Sequence, residues 1–527
     1  MAGRAHQPVR IAVALLVVAS ILSSVPAAAG SSVRLKVMTF NIFYGGDEID
    51  LEQNHWCVDA AGCPETMEQV IAAIRASDAD VVGMQEGTAN GCVIADRLGW
   101  YCSERLQVIS RYRLIDPPGA DGVYVYAEVE PGRVVAIANV HLPAEPYGPY
   151  YPREGWTLEQ ILELEITTRL PWIRSPLRAL PKLAAAGIPT FMTGDFNSPS
   201  HLDWTVEVAA VRPDVVIYPV EWPVSKVLAD AGLRDSYREA YPDPVAKPGF
   251  TWTPGSLEEI PDEVHDRIDW VLADGPSTTL DSQIVGEPRN ADTDIVVDPY
   301  PTDHRGVVST FRVIPGVPEL FAAVDERRVF GGDKLVVRFH GEGDPVEQIA
   351  VVPAGEGVGR AVASRSTGSA VDGAVNFATG EWAPGDYEAI LVRRDHVRSR
   401  SPFWLYAPGT PAQVSTNRRV YERGEPIRVS WAAAPGYKWD WIGVYKPGDG
   451  PTKRAAGCNA GYCGNGHYLL YEYTGASIED STRFDAYSAP GYVSWPLRRG
   501  WYEIRLLMDD GYRLVAISLP FKVIAVR

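Results

Sequence analysis

The chain has 527 residues, too many for one hydrophobic core, and its 46% hydrophobic and 10% aromatic content excludes a disordered protein. The net charge of -18 is uneven: residues 31–315 hold 22 Lys and Arg against 43 Asp and Glu, whereas residues 316–527 hold 25 against 24. An acidic first half argues against tight, non-specific binding of a nucleic acid duplex, which needs a basic face. It does not exclude a nuclease that obtains positive charge from metal ions.

The N-terminus has the three parts of a secretory signal peptide. Two arginines precede an apolar run, residues 11–25, and small residues follow it. We therefore expect residues 1–29 to be a signal peptide, cleaved near Ala29, and the mature chain to be secreted without a membrane span. An uncleaved anchor is the alternative, but the run is shorter than the roughly 20 residues that a spanning helix needs.

The even number of cysteines suits an exported chain with local disulfides. The six residues form three close pairs, Cys57 with Cys63, Cys92 with Cys102, and Cys458 with Cys463. A zinc site is the weaker interpretation, because no pair has the C-x2-C spacing or histidines placed to complete a tetrahedron.

Strand-like runs alternate with helical patterns between residues 33 and 313. The runs that predict strands are RLKVMTF, ADVVGMQE, RVVAIANVHL, IPTFMTGDF, RIDWVLA and GVVSTFRV. The segments PETMEQVIAAIRAS and TLEQILELEITTRL have apolar residues at helical spacing, and the first has an acidic first turn and Arg75 near its end. We predict one α/β domain over residues 31–315.

The segment VIPGVPELF marks a boundary, after which strands and turns dominate. An internal repeat follows it: RRVFGGDKLVVRF returns as RRVYERGEPIRVSW, EQIAVVPAG as DWIGVYKPG, and WAPGDYEAILV as WPLRRGWYEIRLL. We predict two β-sandwich modules, residues 318–408 and 410–527, that serve as spacers or contact a cell surface or extracellular polymer. The tryptophans of the tail are expected in the core rather than on a carbohydrate platform.

Polar residues recur beside the apolar strands of the first domain. They are Asn41, Glu86, Asn139, His141, Asp195, Asn197, Asp266, Asp269, Asp303 and His304. Each alone is typical of a turn, a helix cap or a structural imidazole. The ordered set is more informative, because strand ends can bring distant residues to one edge of a sheet.

In this order the motifs resemble those of the endonuclease/exonuclease/phosphatase superfamily, which includes pancreatic-type deoxyribonucleases, apurinic endonucleases, neutral sphingomyelinases and inositol-polyphosphate 5-phosphatases. The resemblance extends from Lys36 to Phe311. It implies a four-layer α/β sandwich, with two packed sheets and a divalent ion at one rim. The implied ion is Mg2+, with Mn2+ as the alternative, and the implied metal ligands are Asn41, Glu86 and Asp303. The residues that would surround the scissile phosphate are His141, Asp195, Asn197, Asp269 and His304.

Phosphodiester hydrolysis needs these residue types on physical grounds. Carboxylate oxygens hold Mg2+ while leaving it several waters, and histidines can exchange protons near neutral pH. We assign Asp195 to orient or deprotonate the attacking water, and His304 and His141 to donate to phosphate oxygens. We expect Asp269 to orient His304, with Asp266 as the alternative acid.

Two further features stay open at the level of sequence. Tyr147, Tyr150, Tyr151 and Trp156 follow the His141 strand and either contact substrate or cover the core. His201, just after Asn197, either reaches substrate or caps the local turn.

We therefore predict a secreted, divalent-metal-dependent phosphoester hydrolase, acting as a phosphodiesterase on a small, lipid or surface phosphoester. An extracellular nuclease of the same fold is the alternative, since the fold does not select the substrate. A non-catalytic binding protein is disfavoured, because every metal and histidine position of the motifs is retained.

Overall fold

The computed structural model describes residues 31–47, 49–51, 55–56, 63–254, 262–448, 465–491 and 493–526. The proposed signal segment, Cys57 and the pair Cys458 and Cys463 lie outside these residues. Cys63 is disulfide-bonded, and the predicted Cys92–Cys102 disulfide is present. In the described part of the chain, no helix is both long and apolar enough to span a membrane.

The first large sheet has seven strands, with β1 near its centre. In spatial order they are β14 (Ile295–Val296), β13 (Ser277–Gly286), β15 (Gly306–Val313), β1 (Val33–Asn41), β4 (Val81–Gln85), β6 (Val108–Ser110) and β5 (Tyr101–Ser103). Strands β1 and β4 are parallel, so both end at the same edge of the sheet. A separate short pair is formed by β2 (Ile49–Asp50) and β3 (His55–Trp56).

The second large sheet has six strands. In spatial order they are β11 (Arg234–Asp235), β12 (Asp269–Asp274), β10 (Thr190–Asp195), β9 (Arg133–His141), β8 (Val125–Glu130) and β7 (Arg113–Ile115). Strands β9 and β10 are parallel, and β12 runs antiparallel to β10. The C-terminal ends of β9 and β10 therefore meet the N-terminal end of β12.

The two sheets pack face to face through fully buried side chains. Val37 and Phe311 of the first sheet belong to the same core cluster as Ile137 and Phe191 of the second. The rings of Phe191 and Phe311 meet with centroids 4.8 Å apart. The apolar strand patterns of the sequence thus form the central layer between the sheets.

The described part of the first domain also contains helices. They are α1 (Pro64–Ser77), α2 (Gly91–Leu98), α3 (Leu158–Thr168), α4 (Leu170–Ala185), α5 (Val206–Val211), α6 (Pro223–Asp230) and α7 (Ser236–Ala240). Val70 and Ile74 of α1 pack on the first sheet, whereas Ile173 of α4 and Leu228 of α6 pack on the second. The predicted four-layer α/β sandwich is confirmed.

Helix α1 shows why the sequence folds this way locally. Its apolar residues recur at helical spacing and its inward side chains are buried. Pro64 stands in the first turn, where its missing N–H costs no hydrogen bond. The helix ends at Ser77, and the following Asp78 closes the last turn with a left-handed backbone (φ 51°).

The region after residue 316 forms two β-sandwiches, each with a three-stranded and a larger sheet. The first contains β16 (Phe321–Val324), β18 (Lys334–His340) and β21 (Asp372–Ala378) facing β17 (Arg328–Phe330), β23 (His396–Tyr406), β22 (Gly385–Arg393), β19 (Glu347–Pro353) and β20 (Ala363–Ser366). The second contains β24 (Gln413–Thr416), β26 (Ile427–Ala432) and β29 (Asp480–Phe484) facing β25 (Val420–Glu422), β33 (Phe521–Ile524), β31 (Gly500–Leu507), β27 (Trp441–Tyr445), β28 (Leu470–Tyr473), β30 (Ala489–Pro490) and β32 (Leu514–Ile517).

The sequence repeat corresponds to a repeat of topology. Parallel pairing joins β17 to β23 in the first sandwich and β25 to β33 in the second. Likewise, β19 pairs with β22 and β27 pairs with β31, both antiparallel. Repeated sequence segments therefore occupy equivalent places in two modules with separate apolar cores, whereas the domain bounds given above stay a prediction.

Candidate active site

The strand registers bring three candidate residues into one row. Asp195, at the end of β10, is the register partner of His141 on β9 and of Asp269 on β12. On the first sheet, Asn41 is the partner of Gln85, and Glu86 follows directly. Residues from distant parts of the sequence thus lie together at one rim of the two sheets.

Asp195 is the centre of this arrangement and is 1% exposed. Its Oδ2 lies 3.1 Å from Nδ2 of Asn41, 3.7 Å from Nε2 of His141 and 3.6 Å from Nε2 of His304. Its Oδ1 accepts a hydrogen bond from the backbone N–H of Asn197 at 2.9 Å. The Nε2 atoms of both histidines are therefore close to the same carboxylate oxygen of Asp195.

His304 is oriented by Asp269. The Nδ1 of His304 lies 3.0 Å from Oδ2 of Asp269, which directs Nε2 towards Asp195. The hydroxyl of Thr251 accepts hydrogen bonds from the backbone N–H groups of Ile268 and Asp269 and so fixes the start of β12. Burial lowers the pKa of His304, but the charges of Asp269 and Asp195 outweigh it and hold that pKa well above its usual value.

Asp266, the alternative acid, has other partners. Its Oδ2 accepts from the Tyr147 hydroxyl at 3.0 Å, and its Oδ1 accepts from Nε1 of Trp204 at 2.9 Å. Burial raises its pKa to about 7. The geometry thus pairs His304 with Asp269 and gives Asp266 a place in the core.

Of the predicted metal ligands, Asn41 contacts Glu86, and Asp303 is influenced by the charge of Glu86. Nδ2 of Asn41 donates to Oε1 of Glu86 at 3.1 Å, and the backbone N–H of Tyr44 donates to Oε2 of Glu86 at 3.0 Å. Burial and the charges of Glu86 and Asp195 raise the pKa of Asp303 to about 8, against the opposing charge of His304. Carboxylate and amide oxygens are donors of the type that hard divalent cations bind.

A second set of residues could also hold a metal ion. Ligand atoms of Asp195, Asp269 and His304 all lie within 4.8 Å of one another and are buried. Oδ1 of Asp269 is buried without a hydrogen-bond partner among the described residues. Because Asp195 contacts both Asn41 and His304, the two sets adjoin in the same site.

His141 receives a partner from the distant C-terminal module. Its Nδ1 lies 2.7 Å from Oδ2 of Asp510, 369 residues further along the chain. Burial lowers the pKa of His141, but the charge of Asp510 and its hydrogen bond, together with the charge of Asp195, raise it to about 9. The neighbouring carboxylates therefore favour the protonated form of both imidazoles, the form that can donate from Nε2 to phosphate oxygens.

Two of the three asparagines in the motifs, Asn139 and Asn197, hold the backbone around the site in place. Asn197 has a left-handed backbone (φ 47°), and its Nδ2 donates to the carbonyl of Leu142 at 2.9 Å. Asn139 is fully buried between the sheets, where its Oδ1 accepts from Nε2 of Gln85 at 2.7 Å. The turn after β10 and the junction of the sheets are thereby fixed.

The aromatic loop after His141 packs into the protein. Tyr147 is 3% exposed and forms a cluster with Trp204 and Trp222, against which Tyr150, Tyr151 and Trp156 pack. His201 is bonded to the hydroxyl of Ser225 through both its backbone N–H (2.7 Å) and Nδ1 (3.0 Å). These contacts favour the interpretation that the aromatic loop covers the core. They likewise favour a local capping role for His201.

Sequence reasoning missed two residues of the site. Thr251 lies in a segment with no strand pattern, so nothing marked its hydroxyl as a support for β12. Asp510 lies in the sequence MDDGY, which is typical of an ordinary hairpin turn. Alignment of the two repeats could have marked this turn, because the second repeat has Asp509 and Asp510 where the first has Arg394 and Asp395.

The fold and the rim of acidic and imidazole groups define the class of α/β-sandwich phosphoester hydrolases. The chain belongs to the Endonuclease/Exonuclease/phosphatase family, whose model matches residues 38–304. Members of this family are hydrolases that act on phosphoesters and generally use a divalent metal. The resemblance inferred from the sequence motifs is confirmed.

The individual proteins that the chain matches share low sequence identity with it. The chain is 29% identical over 336 residues to the uncharacterized protein F14F9.5 of Caenorhabditis elegans, an alignment that covers 58% of this chain and 99% of the relative. Among solved structures, an endonuclease/exonuclease/phosphatase from Beutenbergia cavernae aligns with 17% identity and a TM-score of 0.32, covering 71% of this chain and 100% of that one. An AP endonuclease from Archaeoglobus fulgidus aligns with 16% identity and a TM-score of 0.33, covering 52% and 98%.

Proposed function

We propose that the protein is a secreted, divalent-metal-dependent phosphodiesterase that acts on a small, lipid or surface phosphoester. The observation that carries this proposal is the convergence on Asp195 of Asn41, His141 and His304, with Asp269 behind His304. The acidic first half of the chain disfavours tight binding of a nucleic acid duplex, which supports a small, lipid or surface phosphoester as substrate.

The proposed mechanism divides the work between acids and imidazoles. Asn41, Glu86 and Asp303 would hold a divalent ion, which supplies positive charge to the phosphate when bound. Asp195 holds and orients the attacking water and accepts its proton. His304 and His141, each fixed through Nδ1, present Nε2 to the phosphate oxygens and stabilise the charge that develops in the transition state.

A substrate panel tests the proposed activity. The exported chain is assayed on bis-p-nitrophenyl phosphate, sphingomyelin, inositol phosphates, plasmid DNA and RNA, each with Mg2+, with Mn2+ and with a chelator. We expect turnover of lipid or small phosphoesters that chelation abolishes. Turnover that survives thorough chelation contradicts the metal mechanism, and preferential turnover of DNA or RNA contradicts the substrate class.

Two variants test the site itself. We expect Glu86→Gln to weaken the binding of Mn2+ measured by calorimetry, because a charged oxygen ligand is lost. We expect His304→Ala to lower kcat about 100-fold or more, since it removes a donor to the transition state. Glu65→Gln, an exposed acid in the first turn of α1, is the matched control and should change neither quantity. If both site variants behave as the control does, the assigned site is wrong.

Secretion is proposed from the N-terminal pattern of residues 1–29. The Cys92–Cys102 disulfide is compatible with an oxidising compartment. Mass spectrometry of the exported chain should find an N-terminus near Gly30. A full-length chain retained in the membrane fraction would instead favour an uncleaved anchor.

A further inference from the structure

The hairpin turn between β31 and β32 lies against the catalytic domain. Asp509 and Asp510 both have a left-handed backbone, with φ of 50° and 62°. Asp tolerates this conformation better than most residues. The turn is closed by hydrogen bonds from Gly511 N to Met508 O (2.9 Å) and from Met508 N to Arg513 O (3.1 Å).

Asp510 is held from several sides. While its Oδ2 bonds Nδ1 of His141 (2.7 Å), its Oδ1 accepts from the Tyr473 hydroxyl (2.7 Å) and its backbone N–H donates to the carbonyl of Trp439 (2.9 Å). The Tyr473 ring in turn packs edge-on against Trp172 of the catalytic domain, with centroids 5.2 Å apart. The carboxylate therefore has little freedom to leave His141.

Asp509 joins the same turn to the loop that follows Glu86. Its Oδ2 accepts from Ala89 N (2.8 Å), and its Oδ1 accepts from Nε2 of Gln107 (2.8 Å). Gln107 uses its Oε1 to accept from Gly87 N (2.9 Å). Glu86 and Ala89 have left-handed backbones, with φ of 56° and 66°, so this loop depends on such contacts for its shape.

We propose that the turn of Asp509 and Asp510 completes the active site, with Asp510 as a positioning residue that holds the Nδ1 proton of His141 and thereby directs Nε2 at Asp195 and the phosphate. The ring nitrogens of an imidazole are distinct, and the partner of one sets the orientation and protonation of the other. Without Asp510, the ring of His141 can rotate and lose this direction. The catalytic role of His141 rests on the proposed function, whereas its contact with Asp510 does not.

The first β-sandwich contains a matched control for this turn. The repeat aligns Asp395 with Asp510 and Arg394 with Asp509. Arg394 and Asp395 also have left-handed backbones, with φ of 48° and 67°, but both are exposed. Asp395 thus has the position of Asp510 in an equivalent turn, directed at solvent instead of at the catalytic domain.

The experiment compares Asp510→Ala and Asp510→Asn with Asp395→Ala and Asp395→Asn in the full chain. The Nδ1–H resonance of His141 is observed by NMR with 15N-labelled histidine and assigned with His141→Gln. We expect a low-field resonance, typical of a short hydrogen bond to a carboxylate, that is lost in Asp510→Ala, moves in Asp510→Asn and is unchanged in both Asp395 variants.

The kinetic measurement separates positioning from binding. We expect the Asp510 variants to lower kcat about 10- to 100-fold with KM changed less than about 2-fold, the size of effect known for residues that orient metal-ligating histidines. The nearly isosteric Asp510→Asn keeps the test valid if Asp510→Ala fails to fold. A resonance unaffected by either Asp510 variant overturns the proposal, and so does loss of the resonance with kcat unchanged. If the wild-type chain turns over no phosphoester, the proposed function is wrong, and the resonance alone decides whether Asp510 holds His141.

Discussion

Asp266 and Asp269 are three residues apart and differ completely in what they contact. Asp269 starts β12 and faces the rim, where it bonds His304 at 3.0 Å. Asp266 precedes the strand and faces a core of aromatic residues, where each of its carboxylate oxygens accepts a hydrogen bond, one from Tyr147 and one from Trp204. Because one acid supports a catalytic imidazole and the other supports packing, their substitutions should have separable effects.

We predict that Asp269→Asn lowers kcat about 10- to 100-fold, because an amide stabilises the His304 imidazolium less than a carboxylate does. Steady-state kinetics on the best substrate of the panel, measured well below the melting temperature, tests this. Asp266→Asn should keep kcat within about 3-fold of the wild type. The assignment fails if the two variants exchange these behaviours.

Asp266 should instead make stability depend on pH. Its pKa rises from 3.8 in the unfolded chain to about 7 in the fold, because burial disfavours the charged form. The native state therefore binds the extra proton between these values, so the contribution is full below pH 3.8 and is lost as pH rises through about 7. At about 1.4 kcal/mol per pKa unit, the loss is on the order of 4 kcal/mol.

We predict that Asp266→Asn removes this dependence. Unfolding free energies of the wild type and the variant, measured by urea denaturation between pH 4 and pH 8, should diverge in favour of the variant as pH rises. Parallel curves over that range would show that Asp266 does not titrate between the two states.

The residues of the candidate site were largely predictable from sequence because each follows or precedes an apolar strand. Asn41, Glu86 and Asp195 lie at strand ends, where parallel neighbours bring side chains to a common edge. Asp269 was the expected partner of His304 and Asp266 the alternative, but strand ends alone could not decide between them. Which of them faces the rim depends on where β12 begins, and Thr251, a residue in an irregular segment, helps to set that point.

At the scale of single elements, α1 is a helix that the local sequence pattern predicts, whereas α4 is one that it does not predict in full. The segment PETMEQVIAAIRAS predicts a helix, and α1 spans those residues, Pro64–Ser77. Helix α4 contains Pro176 and Pro181, which break the local signal for a helix. Its existence depends on tertiary packing, since Ile173 and Leu180 are fully buried on the second sheet.

Two interactions stabilise helix α2 near the loop that follows Glu86. Glu104 accepts hydrogen bonds from Gly91 N (3.2 Å) and Cys92 N (2.8 Å), and so satisfies free N–H groups at the start of the helix. The Cys92–Cys102 disulfide closes a loop of sequence separation 10 between α2 and β5. Helix and strand are thus joined beside a proposed metal ligand.

We predict that Cys92→Ser with Cys102→Ser destabilises the catalytic domain by about 2 to 3 kcal/mol, the value expected for opening a loop of this length. Chemical denaturation of the purified double variant, compared with the oxidised wild type, measures the difference. Single Cys→Ser variants leave a free thiol and are unsuitable controls, so Ser103→Ala serves instead. A difference below about 0.5 kcal/mol would show that packing of α2 alone determines the stability of this region.

At the scale of the whole molecule, the second β-sandwich is joined to the catalytic domain by polar contacts at the site. Lys438 donates through its backbone N–H to Arg105 O at 2.9 Å and through Nζ to the carbonyl of Asn139 on β9. The sequence repeat predicted the modules, but it could not predict this docking. Neither periodicity nor composition relates residues that lie about 300 positions apart in the chain.

Lys438 makes this docking sensitive to pH. Burial lowers its pKa from 10.5 to about 7, so the native state binds fewer protons than the unfolded state between these values. Stability must therefore rise with pH across that window, whereas below about pH 7 both states are protonated and the dependence disappears. The ammonium form is the one that the interface disfavours.

We predict that Lys438→Met, which keeps the length of the side chain without its charge, removes this rise in stability. Unfolding free energies of the wild type and the variant at several pH values from 7 to 10 should converge as pH increases, because the wild-type side chain becomes neutral in the unfolded state only near 10.5. Lys334→Met, at an exposed position that starts β18, should leave the wild-type slope intact. If Lys438→Met has the same slope as the wild type, Lys438 stays protonated in the interface and its Nζ is solvated there.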